Sequence, residues 1–141
     1  MAKILVIDDE RSIRNSMKDI LSFEGHEVSI AENGLEGLVA VKTNKPEVVF
    51  CDIKMPKMEG IEVLERIKEI APETSVVMIS GHGTIDTAIE AIKKGAYDFI
   101  EKPLDLNRIL ITIKNATDKS QLLQEQQTLK TKKNKKYEMI G

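Results

Sequence analysis

Apolar residues along this chain follow two alternating periods. Short runs rich in β-branched residues fall at 4–7, 28–31, 48–51 and 76–79, with a weaker fifth at 97–101. Each has strand length. Between them, apolar residues recur at helical spacing: Ile13, Met17, Ile20 and Leu21; then Leu35, Leu38 and Val39; then Ile61, Leu64 and Ile67; then Ile85, Ala88, Ile89 and Ile92. A fifth face begins with Leu106, Ile109, Leu110 and Ile113. Punctuation agrees. Asn33-Gly34 opens the second helix, Pro72 ends the third, Gly95 stops the fourth, and Asp105 is placed to cap the fifth. Strands two and three read as apolar on both faces, as expected when helices cover both sides of a parallel sheet. Five β-α repeats with short connections predict a doubly wound α/β sandwich.

The pattern fades after about Asp118. Residues 119–136 are nearly all polar and end in a lysine-rich stretch, with Leu122, Leu123 and Leu129 as their apolar residues. A solvated helical extension running into a flexible linker fits this composition. A short coiled coil continuing the fifth helix is the alternative, opposed by Ser120 and Gln127 on its seam. A basic nucleic-acid arm is a remote third reading. Residues 137–141, YEMIG, regain apolar character and read as the start of a truncated further domain.

Composition adds exclusions. Of the 141 residues, 41% are hydrophobic and 31% charged, enough for one core. A formal net charge of -2 gives no global attraction to nucleic acid or an anionic membrane. The single Cys51 cannot close an internal disulfide, and the N-terminal apolar run is too short for a signal peptide. No stretch approaches the roughly 20 apolar residues that cross a bilayer. A cytoplasmic protein is expected.

Chemistry enters at the strand ends. Ligands of open α/β sheets bind beyond the carboxyl ends of the strands. Asp8 and Asp9 follow strand one, Asp52 ends strand three, Ser80 follows strand four, and Lys102 follows strand five. Three carboxylates meeting in one crevice repel unless one is protonated or a cation sits among them. Mg2+ is the expected ion, since it takes one or two carboxylates, waters and a phosphate oxygen. A carboxylate can be the nucleophile of phosphoryl transfer. Asp52, from the middle of the sheet, is assigned that role. Lys102 and Ser80 are then placed to hold phosphoryl oxygens.

Taken singly, each residue has an ordinary explanation. An acidic pair favours a helix N-terminus, Asp52 could be a turn residue before Pro56, Lys102 a surface lysine, and Ser80 a loop residue. Their joint placement at one sheet edge is what carries the functional reading. Cys51 reads as a small core residue, and His26 and His82 as surface residues without zinc spacing.

These residues resemble the receiver domain of two-component response regulators. The resemblance covers roughly residues 1–117 and rests on ILVIDDE, VVFCDIKMPKMEG, VVMISGHG and YDFIEKP. It implies a flavodoxin-like five-stranded parallel sheet of order 2-1-3-4-5 with five helices, and a receiver domain spanning residues 1–118. It implies Mg2+ held by Asp8, Asp9, Asp52 and the backbone carbonyl of Lys54. Asp52 would take its phosphoryl group from a phosphohistidine on a sensor histidine kinase. It also implies a switch, in which Ser80 is drawn inward and Phe99 rotates, altering the surface of helix four, strand five and helix five. Lys54, cationic beside the site, bears on how water reaches the acyl phosphate.

The stretch GTIDTAIEAIKKGAYDFIEKPLD looks like receivers of nitrogen-regulator type, whose proteins carry an AAA+ ATPase activating sigma-54 RNA polymerase and a DNA-binding domain. The expected role is thus a signalling phosphoacceptor rather than an enzyme, with partner domains and a homodimer implied by the resemblance, and no direct nucleic-acid binding by this fragment and no membrane. No GxxxxGK[ST] loop is present, so this chain is not itself the ATPase. Rivals are a stand-alone receiver acting by protein contact, a haloacid-dehalogenase-like phosphatase, and a flavodoxin-like cofactor binder. The phosphatase chemistry wants an acid where Lys54 stands, and the carboxylates would repel a flavin phosphate.

Overall fold

The computed structural model describes residues 2–118. Strands and helices alternate: β1 (Lys3–Ile7), α1 (Arg11–Phe23), β2 (Glu27–Ala31), α2 (Gly34–Asn44), β3 (Val48–Asp52), α3 (Gly60–Ile70), β4 (Ser75–Ser80), α4 (Ile85–Lys93) and β5 (Asp98–Glu101). Residues 106–118 are helical and form α5. The expected linker at 119–136 and the further domain at 137–141 lie outside the described residues, as do Ser120 and Gln127 of the coiled-coil seam. All strands pair in parallel in the order β2-β1-β3-β4-β5. The doubly wound sheet expected from the repeats is therefore what forms.

Alternation along the central strands divides the core. Leu5, Ile7, Val49, Cys51, Val76 and Met78 face one side, where Val41, Val63, Leu64, Ile67 and Ala91 meet them. Ile4, Val6, Phe50, Val77 and Ile79 face the other, against Met17, Leu21, Ile109 and Ile113. β3 and β4 are buried along their whole length, as two-sided coverage requires. β2 is not. It lies at the sheet edge with Glu27 and Ile30 exposed, so its apolar residues overstate its burial.

Two helical faces also differ from the periodicity. On α2, Leu35 and Val39 point to solvent, while Gly34, Gly37 and Val41 are buried. A Cβ added at Gly37 would stand 2.4 Å from Ile7 Cδ1, and one at Gly34 would stand 2.5 Å from Val63 Cγ2. The helix backbone itself lies against the core, and a count of apolar side chains cannot register glycine as an inner-face residue. On α4, Ile85, Ile89 and Ile92 are exposed and Ala91 is the buried residue. A small residue brings this helix close to the sheet, and the branched stripe is left outside. Ile20 and Leu106 are similarly near the rim, at 38% and 40% exposure.

The caps form where the sequence places them. Asn33 accepts from the Glu36 N–H and donates to its carboxylate, a reciprocal capping pair. Asp105 accepts from the Asn107 N–H through its side chain and from the Ile109 N–H through its carbonyl. Gly95 sits at φ +105° after α4, a left-handed position that favours glycine. His26 departs from its expected surface role. It is half-buried, and its Nδ1 accepts from the Ala2 N–H at 3.1 Å. Burial lowers its pKa.

Candidate metal and phosphate site

Strand register brings the chemistry to one level. Ile7 pairs with Cys51 and Asp52 with Ile79, so Asp8 stands beside Asp52, and Ser80 lies one step beyond it. Ser80 pairs with Glu101, which brings Lys102 to the same edge through a Lys102 N–H to Ser80 carbonyl bond of 2.8 Å. The Lys102-Pro103 peptide bond is cis.

Lys102 is the hub. Its Nζ lies 2.9 Å from Glu10 Oε1, 3.1 Å from Asp8 Oδ2 and 3.6 Å from Asp52 Oδ2. Asp8 is fully buried. Its Oδ1 accepts from the Glu10 N–H at 2.8 Å, and its carbonyl accepts from Arg14 Nη1 at 2.7 Å. Asp8 Oδ2 is buried yet makes no hydrogen bond of good geometry. Carboxylate oxygens of Asp8, Glu10 and Asp52 all lie within 4.8 Å of one another. Glu10 was not among the residues expected from the sequence, although it continues the acidic run directly. Asp9 is exposed at the rim, close enough to Asp52 to push that carboxyl's pKa upward.

The other expected residues are also at this edge. Ser80 is buried, and its Oγ accepts from the His82 N–H at 3.2 Å. Phe99 is half-buried and packs on the α2–α4 side of the core. A Cβ at Gly83 would fall 2.6 Å from Phe99 Cζ and 3.3 Å from Ser80 Oγ, so the loop after β4 touches both. Lys54 is exposed just past β3. Gly60 folds back on the segment just past β3: its N–H donates to the Ile53 carbonyl at 2.7 Å.

Electrostatics favour a cation here. Burial first, then the neighbouring Asp8 charge, push the Asp52 carboxyl up to about 7 against an ordinary 3.8, with Lys102 opposing. Burial likewise raises Asp8. Burial alone would lower Lys102, but Glu10, Asp8 and Asp52 outweigh it and hold the ammonium well above the usual range. Burial pushes the Cys51 thiol up, so it is no nucleophile at neutral pH. One ammonium does not neutralise three carboxylates, and all the donors are hard oxygens. That set fits Mg2+.

A pH dependence follows. Between pH 4 and 7 the folded chain holds a proton on Asp52 that the unfolded chain has released, so stability falls as pH rises through this window. Asp52→Asn should remove the Asp52 share of that slope and leave the smaller one that the raised Asp8 contributes. It should stabilise the metal-free protein at pH 8 by on the order of 2 kcal/mol, read from urea unfolding. Added Mg2+ should stabilise the wild type and not the Asn variant; equal stabilisation of both would contradict the assigned cation site.

No helix among the described residues is long and apolar enough to cross a membrane. Residues 4–114 match the response regulator receiver domain family. The nitrogen assimilation regulatory protein NtrX of Azorhizobium caulinodans is 40% identical over 129 residues, covering 90% of this chain and 28% of that protein. The crystal structure of NtrX from Brucella abortus superposes with a TM-score of 0.85 at 44% identity, covering 92% of this chain and 30% of that one. The solution structure of the beryllofluoride-activated NtrC4 receiver domain dimer gives 0.80 at 42% identity, covering 85% of this chain and 99% of that one. The chain spans less than a third of the length of the curated relatives it matches. With its strand order, its acidic crevice and this match over most of its length, the chain belongs to the response regulator receiver domain family.

Proposed function

We propose that Asp52 is the phosphoacceptor of a two-component signalling protein, loaded by a sensor histidine kinase. The observation that carries this reading is the placement of Asp52 at the end of the central strand, 3.6 Å from a lysine that already bridges two further carboxylates. An Asp52 carboxylate oxygen bonds to phosphorus as the phosphorus–nitrogen bond of the donor phosphohistidine breaks, and the imidazole leaves. Asp8, Asp9, Asp52 and the Lys54 carbonyl would hold Mg2+, with Glu10 near enough to join them. Bound there, the ion supplies positive charge against the transferring phosphoryl group. Lys102 pairs with one phosphoryl oxygen and the Ser80 hydroxyl donates to another. The chain's role is signalling, with one phosphoryl group accepted per molecule and no multiple turnover.

Loading also supplies a switch. Ser80 leaves the His82 N–H for the phosphoryl oxygen, the loop through Gly83 shifts, and Phe99 follows because its ring rests on that loop. The surface it biases is α4–β5–α5, where Ile85, Ile89 and Ile92 lie exposed. Residues 1–118 are the receiver, 119–136 a linker and 137–141 the start of an AAA+ domain. In the whole protein this receiver would control a sigma-54-dependent activator in the cytoplasm, acting as a homodimer with its own ATPase and DNA-binding domains. Relatives more than three times its length support that arrangement, and the dimeric NtrC4 receiver supports the self-association. The test is incubation with acetyl phosphate and Mg2+, then intact mass and peptide mapping. One phosphoryl adduct at Asp52, absent with chelator, is expected; repeated hydrolysis of a phosphomonoester would point to a phosphatase instead.

A further inference from the structure

Lys102 is occupied before any phosphate arrives. Its shortest contact is not with Asp8 or Asp52 but with Glu10, at 2.9 Å. The three acids differ in freedom. Asp8 is fully buried and held at its Oδ1 and its carbonyl, and Asp52 is fixed by the central strand. The Glu10 side chain is 55% exposed, and it is not used to cap α1. An ammonium has three protons to give. A phosphoryl oxygen on Asp52 therefore gains its place on Lys102 most cheaply by displacing Glu10, which can swing into water.

We propose that Glu10 is a positioning residue, a releasable latch that holds Lys102 in the resting state and competes with the phosphoryl group for it. This rests on the phosphoacceptor reading of Asp52. Glu10 sets how readily the site is loaded: its release is part of the cost of phosphorylation, and its return to Lys102 favours loss of the phosphoryl group. An ion pair open to water on its Glu10 side is worth about 0.2–1 kcal/mol, which converts to an effect of up to about fivefold.

The test compares wild type, Glu10→Ala and Glu10→Asp, incubated with acetyl phosphate at saturating Mg2+ and followed by intact mass. Aspartate keeps the charge but is one methylene too short to reach Lys102 from the same backbone position. Both variants should load roughly two- to fivefold faster. In the metal-free proteins, Asp8 and Asp52 still hold the Lys102 ammonium, so its signal in a proton–nitrogen correlation spectrum should persist but shift in both variants; an unshifted signal in both would overturn the latch. If Glu10→Asp loads like wild type while Glu10→Ala loads faster, through-space repulsion of the anionic donor is the cause and the latch is overturned. Unchanged loading in both variants overturns it as well. Absence of any adduct on the wild type would instead overturn the reading of Asp52 beneath it.

Discussion

Asp52→Asn should abolish the phosphoryl adduct that wild type forms with acetyl phosphate and Mg2+. The substitution is nearly isosteric, so the buried end of β3 and its pairing with Ile79 are kept. On the proposed reading, what is lost is the nucleophile, because an amide oxygen attacks phosphorus far less readily than a carboxylate. It also removes a ligand charge from the cluster of Asp8, Glu10 and Asp52. No neighbour is equipped to substitute. Asp8 is fully buried and ion-paired with Lys102, and Asp9 and Glu10 sit at the exposed rim. Intact mass after a timed incubation reads the outcome, with circular dichroism to show that the variant is folded. An adduct of undiminished yield on the Asn variant would mean that another side chain is the acceptor.

Gly60→Ala should be the most damaging single substitution for the fold near the site, costing about 3 kcal/mol or more. A Cβ there would lie 2.1 Å from the Asp52 carbonyl oxygen and 2.7 Å from Ile53 Cα. Both obstacles are backbone, so no flexible side-chain tip can move aside. Either α3 withdraws from the core or the end of β3 shifts, and Asp52 shifts with it. Loading by acetyl phosphate should fall together with the urea midpoint. Gly81→Ala is the contrast: the nearest neighbour of its Cβ would be Lys102 Cδ at an ordinary 3.7 Å, and its stability should change by no more than about 0.5 kcal/mol. Similar losses in the two variants would remove the claim that close approach at Gly60 positions the acceptor.

β1, β3 and β4 were legible because each is a short, buried, β-branched run closed by a chemically distinctive residue. Asp52, Ser80 and Lys102 could be grouped from the sequence because parallel strands all deliver their carboxyl ends to one edge. Glu10 could not be separated from an ordinary helix-leading acid. Its significance depends on a contact with Lys102, 92 residues away, and no local pattern encodes that distance.

The helix faces were less legible for a related reason. Periodicity counts apolar side chains, whereas α2 meets the core through Gly34 and Gly37, and α4 through Ala91. Close approach rewards the smallest residue, so the large ones at Leu35, Val39, Ile85 and Ile89 were left outward. Local period and strand direction were enough to set which segments are strands, which helices separate them, and which residue types stand at the carboxyl edge. Which helix faces are buried, that Glu10 shares Lys102, and that burial raises Asp52 to about 7 became visible once the chain was folded. Those outcomes depend on distances between segments remote in the chain, and on how much water the packed molecule leaves around each charge.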